Sequence, residues 1–395
     1  MSESMSTATL PNRQPWLHSA PFDLTFIIGP AFVVTAIVLA LRPWWLQVET
    51  LPVWLWVLLI IGVDVSHVYS TLFRTYFDRA ELAARRGLYL GAPLLLWAAG
   101  VLLYSFGSDV FWRVLAYLAV FHFVRQQYGF MMMYARDDGV RSVWSRRLDQ
   151  WAIYSATLYP LVYWHCHERN FSWSVAGDFA HLAAVWPERI TALVYAVVML
   201  AYVAREIFSV RAGHSFNWPR NLLLFGTALS WYVGIVATNN DLAFTATNVI
   251  AHGIPYMALI WLYGRNRVAL AERSIQSQPT APFVWPPLQR LFSWRYVPIF
   301  CATLFALAYA EEVLWDGFIW REHGAVLLLA ASLPTAHSGS VLNWLVPLLA
   351  LPQATHYVLD AYIWRLREPG TIWKEVLFSV VRQPPSSLGT QKLSP

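Results

Sequence analysis

Apolar residues in this chain gather into long runs separated by short charged or turn-rich stretches. A helix needs about 20 such residues to cross roughly 30 Å of hydrocarbon. Ten runs approach or exceed that length, and they predict spans over Phe22–Leu41, Leu51–Phe73, Leu88–Phe106, Val110–Tyr134, Trp151–His165, Ile190–Phe208, Asn221–Ala237, Leu242–Tyr263, Tyr296–Trp315 and Val341–Trp364. The expected fold is an all-α, polytopic membrane bundle of about ten transmembrane helices over residues 22–365, with tails at 1–21 and 366–395. Two further segments, Gly324–Pro334 and Ile372–Val381, are placed at the interface. The second is short and flanked by Lys374 and Arg382, so it reads as an amphipathic surface helix. Gly264–Arg295 carries Pro279, Pro282, Pro286 and Pro287 and reads as an extended loop. Met1–Pro21 lacks an apolar core, so no cleavable signal is expected.

The charges between the runs set an orientation. Arg74, Arg79, Arg85 and Arg86 follow the second span, and Arg136, Arg141, Arg146 and Arg147 the fourth. Arg211 and Arg220 follow the sixth, and Arg265, Arg267, Arg273, Arg290 and Arg295 the eighth. Arg365, Arg367, Lys374, Arg382 and Lys392 follow the tenth. The intervening loops are poorer in Lys and Arg. Under the positive-inside rule both termini are cytoplasmic, in a membrane of the bacterial inner or plasma type.

Composition agrees. The chain is 57% hydrophobic and only 13% charged, against roughly 25% charged for a soluble domain. Its net charge of +5 is accounted for by the orienting loops, so no nucleic-acid partner is implied. The two cysteines, Cys166 and Cys301, fall toward opposite ends of their spans and are expected to be unbridged.

The polar residues inside the spans carry the functional signal. Phe121–Phe130 reads FHFVRQQYGF and places His122, Arg125, Gln126 and Gln127 within two turns of one predicted span. An arginine near a bilayer centre costs about 2.5–3.5 kcal/mol on insertion scales, so it needs a partner, water or a ligand. Span 2 holds Asp64 and His67, three apart and on one helix face. Span 8 holds Asn248, His252, Gly253 and Pro255; the glycine permits close approach by another group, and the proline prevents a regular helix there. Span 10 holds His356 and Asp360, after Pro347 and Pro352. The four histidines sit 7, 14, 13 and 9 residues before the first loop arginine of their spans. At about 1.5 Å per residue that is roughly 10–21 Å below one edge of the bundle, so a single layer can contain all four. His165 and His167 lie at a span end away from that layer and read as loop residues. Glu311 and Glu312 lie near the outer end of span 9, as a proton path or a solvated end.

Four imidazoles with nearby carboxylates suit a borderline transition metal. Two histidines and one carboxylate with open positions suit non-haem Fe(II) chemistry with oxygen. On this reading His67, His122, His252 and His356 bind the metal, and Asp64 and Asp360 complete or orient the shell. Gln126 and Arg125 position oxygen or the polar end of the substrate. The same residues can also only tie helices together. Single histidines on four spans, in DVSH, FHFVRQQYG, AHGIPY and THYVLDAYIWR, give a layout that resembles the bacterial Brp/Blh-type carotene dioxygenases. That likeness implies cleavage or oxidation of an apolar chain with iron and O₂, inside a lipid bilayer, with a hydrophobic small molecule as substrate and an electron donor where the reaction needs one. The HxxxH and HxxHH boxes of di-iron desaturases are absent. Two other classes fit in part: a haem protein with His122 and His252 as axial pair, and a transporter with a buried polar pathway.

Overall fold

A computed structural model describes residues 14–45, 47–48, 51–138, 142–167, 175, 177–238, 240–275, 286–364 and 373–378. Among the described residues every regular element is helical. The helices used below are α1 (Ala20–Ala40), α2 (Val53–Phe73), α3 (Arg79–Ala84), α4 (Arg86–Ser105), α5 (Ser108–Tyr134), α6 (Val143–Cys166) and α7 (Trp186–Arg211). They continue as α8 (Trp218–Ala237), α9 (Asp241–Ile275), α10 (Trp294–Trp320), α11 (Gly339–Leu349), α12 (Leu351–Ile363) and α13 (Trp373–Phe378).

Seven helices are long and apolar enough to cross a membrane: α1, α2, α4, α7, α8, α9 over Leu242–Glu272, and α10. Each coincides with a predicted span. The other three predicted spans are helical but fall short of that description. α5 carries His122, Arg125, Gln126 and Gln127, and α6 carries Arg146, Arg147 and Asp149. The tenth run is divided at Ala350 into α11 and α12, with Pro352 in the first turn of α12. Proline has no amide to donate and favours a helix start, which explains the division.

The outer surface is apolar. α4 exposes Leu94, Leu95 and Leu102, and α7 exposes Leu193, Leu200 and Phe208. Water-facing folds rarely leave such rows uncovered, and they suit lipid. α9 lies at the centre, with 72% of its apolar window buried against 11% for α7.

Three sequence details bring α9 against its neighbours. A Cβ on Gly253 would lie 2.7 Å from Val63 Cγ1 and 3.5 Å from His67 Cβ, so only glycine lets α2 approach this closely. Second, α9 runs on through Pro255, contrary to the expectation of irregular structure there. A helix-interior proline frees the carbonyl four residues before it. That carbonyl, of Ala251, accepts from Gln127 Nε2 at 3.4 Å, and the next, of His252, accepts from Gln126 Nε2 at 2.9 Å. Third, α2 is a π-helix over Val57–Val65, just ahead of His67. Ser66 Oγ donates to Ile61 O at 2.7 Å inside that wide turn. Wide turns of this kind often accompany functional sites.

Several expectations change. α9 continues to Ile275, well into the predicted loop; Pro279 and Pro282 lie outside the described residues. The helix in Ile372–Val381 covers Trp373–Phe378, and its apolar face packs on protein. Trp373, Val376 and Leu377 are fully buried in the core that contains Tyr263. Glu311 is buried rather than solvated, accepting from Trp315 Nε1 at 3.2 Å and from Gln353. Both cysteines are free.

Candidate metal centre

His67 comes from α2, His122 from α5, His252 from α9 and His356 from α12, and each is at most 3% exposed. The Nε2 atoms form a chain of close approaches. His67 to His252 is 3.1 Å, His252 to His122 is 3.2 Å, and His122 to His356 is 3.1 Å. One nitrogen from each ring lies within 4.8 Å of the others. Four nitrogens bound at 2.0–2.1 Å around a tetrahedral ion stand about 3.3–3.4 Å apart, close to the three successive approaches seen here.

The opposite ring edges explain the orientation. His356 Nδ1 is 2.7 Å from Thr71 Oγ1, which also meets Tyr256 OH at 3.0 Å. His122 Nδ1 is 3.5 Å from Asp360 Oδ2, and His67 Nδ1 is 3.9 Å from Asp64 Oδ1. The carboxylate beside His122 Nδ1 favours the tautomer with its proton there, leaving the Nε2 lone pair free, whereas His67 Nδ1 has no hydrogen-bond partner among the described residues. Lone pairs so directed at one point repel each other unless a cation or shared protons lie between them. His252 Nδ1 is buried with no hydrogen-bond partner among the described residues. The Phe123 ring lies 4.0 Å from the His252 ring, centroid to centroid, and fixes it by packing.

Neither a family model, nor a curated protein, nor a solved structure matches this chain. The chemistry of the site therefore has to be read from its own atoms.

The four histidines can hold a metal ion. The donor set is all imidazole. The carboxylates stand behind the rings rather than at the nitrogen junction, so the two-histidine, one-carboxylate face is not what this structure assembles. Asp64, expected as a ligand, lies beyond hydrogen-bond range behind His67. Haem does not fit between His122 and His252. Their Nε2 atoms are 3.2 Å apart, and the His67 ring packs against that of His252 at 4.7 Å and the His356 ring against that of His122 at 4.5 Å, centroid to centroid. That leaves no gap for a macrocycle.

Arg125 pairs with neither Asp64 nor Asp360. Its Nη1 donates to Tyr154 OH at 2.6 Å, and its guanidinium lies 5.1 Å over the Tyr128 ring. It does share a cavity of about 920 Å³ with His122, Gln126 and Asp360. Asn248 bonds to Phe244 O within its own helix, not to a histidine. His165 and His167 bond to Tyr117, Leu161 and Tyr163, away from the four.

Thr71 and Tyr256 were not singled out from the sequence, yet a signal was present. Each clustered histidine is followed four residues later by a polar side chain: Thr71, Gln126, Tyr256 and Asp360. That spacing stacks them one helical turn beyond the histidines, on the same faces. Thr71, Gln126 and Asp360 each reach across to a histidine of a neighbouring helix.

Proposed function

We propose that this chain is a metal-dependent oxidoreductase of the membrane interior, with non-haem iron held by His67, His122, His252 and His356, and a lipidic or polyene molecule as its substrate. The observation that carries the reading is the meeting of four buried imidazole nitrogens within 4.8 Å inside a bundle whose exterior is apolar. Imidazole donors suit iron, copper, zinc and nickel alike. Iron is preferred because an apolar substrate offers little for a Lewis acid to polarise but has C–H and C=C bonds that oxygen can attack. When bound, the iron supplies that oxygen-dependent oxidation. An electron donor belongs to the reading for hydroxylation or desaturation, whereas dioxygen cleavage needs none. The layout likeness to carotene dioxygenases points the same way.

The chain's own residues do the rest. Thr71 and Asp360 hold the rings of His356 and His122, and Asp64 stands behind His67. Gln126 and Gln127 fasten α5 to α9, so that His122 and His252 keep their spacing. Among the four histidines only His122 lines the larger cavity, which makes it the edge of the site that meets the substrate. Arg125 positions the substrate's polar end at the mouth of that cavity. In the same reading α5, α6 and the α11–α12 pair complete ten crossings, both termini are cytoplasmic, and the membrane is of the bacterial inner or plasma type. The alternation of arginine-rich loops supports this.

Metal analysis of the detergent-purified full chain tests the proposal. Stoichiometric iron is expected in the wild type, with loss in His122→Ala and His356→Ala while helicity by circular dichroism is retained. A metal-free, folded and active protein would sink the idea. A permease is the second reading, favoured by a further cavity of about 430 Å³ on the other side of the histidines, lined by Asp64, Asn248 and Glu312. Substrate-dependent ion flux in liposomes, with no oxidised product, would establish it instead.

A further inference from the structure

The smaller cavity, of about 430 Å³, falls in the lower half of the range of ordinary small-molecule sites. Its lining holds three carboxylates, Asp64, Glu312 and Glu322, and no lysine or arginine among the described residues. Elsewhere in the bundle carboxylates are matched by arginine. Glu81 meets Arg74 at 2.9 Å, Asp149 meets Arg205 at 2.7 Å and Glu206 meets Arg220 at 2.6 Å. Glu312 meets no such cation among the described residues, and the charged groups acting on it, Glu311, Asp64 and Asp316, are all acidic. Asp64 has only the His67 ring, at 3.9 Å. Arg321, next to Glu322 in the chain, turns away: its Nε donates to Thr335 Oγ1 and its Nη1 to Ala330 O, both at 2.9 Å. Asp316 Oδ1 fixes Glu322 and His323 beside the cavity by accepting from their backbone amides at 2.7 and 2.9 Å.

Aromatic rings make up much of the wall. Trp112, Trp315 and Trp320 form a triangle with ring centroids 5.7–5.9 Å apart, and Trp56, Phe244 and Tyr357 line the same space. Indole faces attract cations, most strongly where the cation is desolvated. An independent observation comes from an uncharged side chain. Asn248 is 4% exposed and lines the cavity. Its Nδ2 is used on Phe244 O, an acceptor, which fixes the orientation of the amide, and its Oδ1 has no hydrogen-bond partner among the described residues. Carboxylates, an amide oxygen and ring faces all favour positive charge. A hard inorganic cation seeks a shell of about six or more oxygens, which a wall of indoles does not supply. A weakly hydrated organic ammonium ion is served by both the rings and the carboxylates.

We propose that the smaller cavity binds a quaternary ammonium ion of the trimethyl type, with Glu312 and Asp64 as counter-charges and the indoles of Trp112, Trp315 and Trp320 around its methyl groups. The site is separate from the metal centre: none of the four clustered histidines lines this cavity, and the proposal does not rest on the oxidoreductase reading. Such a cation occurs both as a free solute and as a lipid head group, and competition separates the two sources.

The test is equilibrium dialysis of radiolabelled benzyltrimethylammonium against the full-length protein in neutral maltoside micelles. Saturable binding is expected, with displacement by choline. The neutral carbon analogue of choline, 3,3-dimethylbutan-1-ol, has the same shape and should displace the label at least about tenfold less well. Dihexanoylphosphatidylcholine outranking choline assigns the cation to a lipid head, and the reverse order assigns it to a solute; either supports the site. Glu312→Gln should narrow the preference for choline over the alcohol by about tenfold, and Trp320→Leu by about threefold, with unchanged circular dichroism. The proposal is overturned by absence of saturable binding, by equal displacement by choline and the alcohol, by magnesium ion displacing as well as choline, or by a wild-type preference in Glu312→Gln. If a variant does not fold, the competition series on the wild type decides by itself. His356→Ala, which lies outside this lining, should lose metal and still bind the label. A wild type without iron that binds the label therefore counts against the oxidoreductase reading alone, and one with iron that does not bind it counts against this proposal alone.

Discussion

Thr71 shows what a single side chain contributes. Elsewhere in the bundle Thr35, Thr157, Thr227, Thr247 and Thr303 all donate to the carbonyl four residues back in their own helix. Thr71 instead bridges His356 Nδ1 and Tyr256 OH. Thr71→Val keeps the shape and removes that bridge. It is expected to weaken metal retention by about 10–100-fold, the usual effect of losing a partner behind a ligand. Competition with a chelator of known affinity measures it. The histidines were legible in the sequence because an ionisable group inside a span is conspicuous. Thr71 was not, because a helical threonine usually satisfies itself. Another residue-level prediction concerns Glu81 on α3. Burial pushes its carboxyl up, but the Arg74 guanidinium at 2.9 Å and the Tyr89 hydroxyl at 2.8 Å outweigh this and hold it below the ordinary range. Its contribution is therefore present above the unfolded value of about 4.3 and is lost as pH falls through the lower folded value. Glu81→Ala leaves Arg74, 1% exposed, without its ion-pair partner. A loss of about 3–5 kcal/mol in thermal or denaturant unfolding is expected.

At the scale of elements, the junction of α2, α5 and α9 decides whether the histidines meet. Gly253→Ala would set a methyl 2.7 Å from Val63 Cγ1. Overpacking of this kind costs about 1–3 kcal/mol. Because His252 is the adjacent residue, the variant is expected to lose metal more severely than it loses stability. Metal content and melting temperature on the same sample show whether the two separate. The sequence announced a close approach at Gly253, and one is found. It also announced a broken helix at Pro255, and α9 is continuous there. The difference lies in Gln126 and Gln127, which take up the carbonyls a proline leaves and which no reading of α9 alone reveals. Likewise the short apolar helix near the C-terminus fits a lipid surface equally well by pattern. Only the groove that buries Trp373 distinguishes protein from membrane.

For the molecule as a whole, the four histidines come from four helices spread between His67 and His356, so an ion bound by them would fasten distant parts of the chain. A chelator should lower the wild-type melting temperature and leave His122→Ala unmoved. At free metal 100-fold above Kd the linkage is worth about 2.7 kcal/mol, well within reach of a thermal shift in detergent. The helical class and seven of the spans were legible because apolar run length reports them directly. The polar helices were harder, since the residues that make α5 a site also make it a poor span by composition.

The two cavities have a consequence for electrical behaviour. The smaller is lined mainly by residues that precede the histidines in α2, α5 and α9, the larger mainly by residues that follow them in α5, α9 and α12, and Tyr357 borders both. Each carries charged side chains that favour water. In the permease reading, water filling both cavities would leave two aqueous vestibules and one thin partition. The transmembrane voltage would then fall mostly over the layer of imidazoles. A charge carried from one vestibule to the other would cross nearly the whole potential, about 2.3 kcal/mol per 100 mV, while moving only the width of a few side chains.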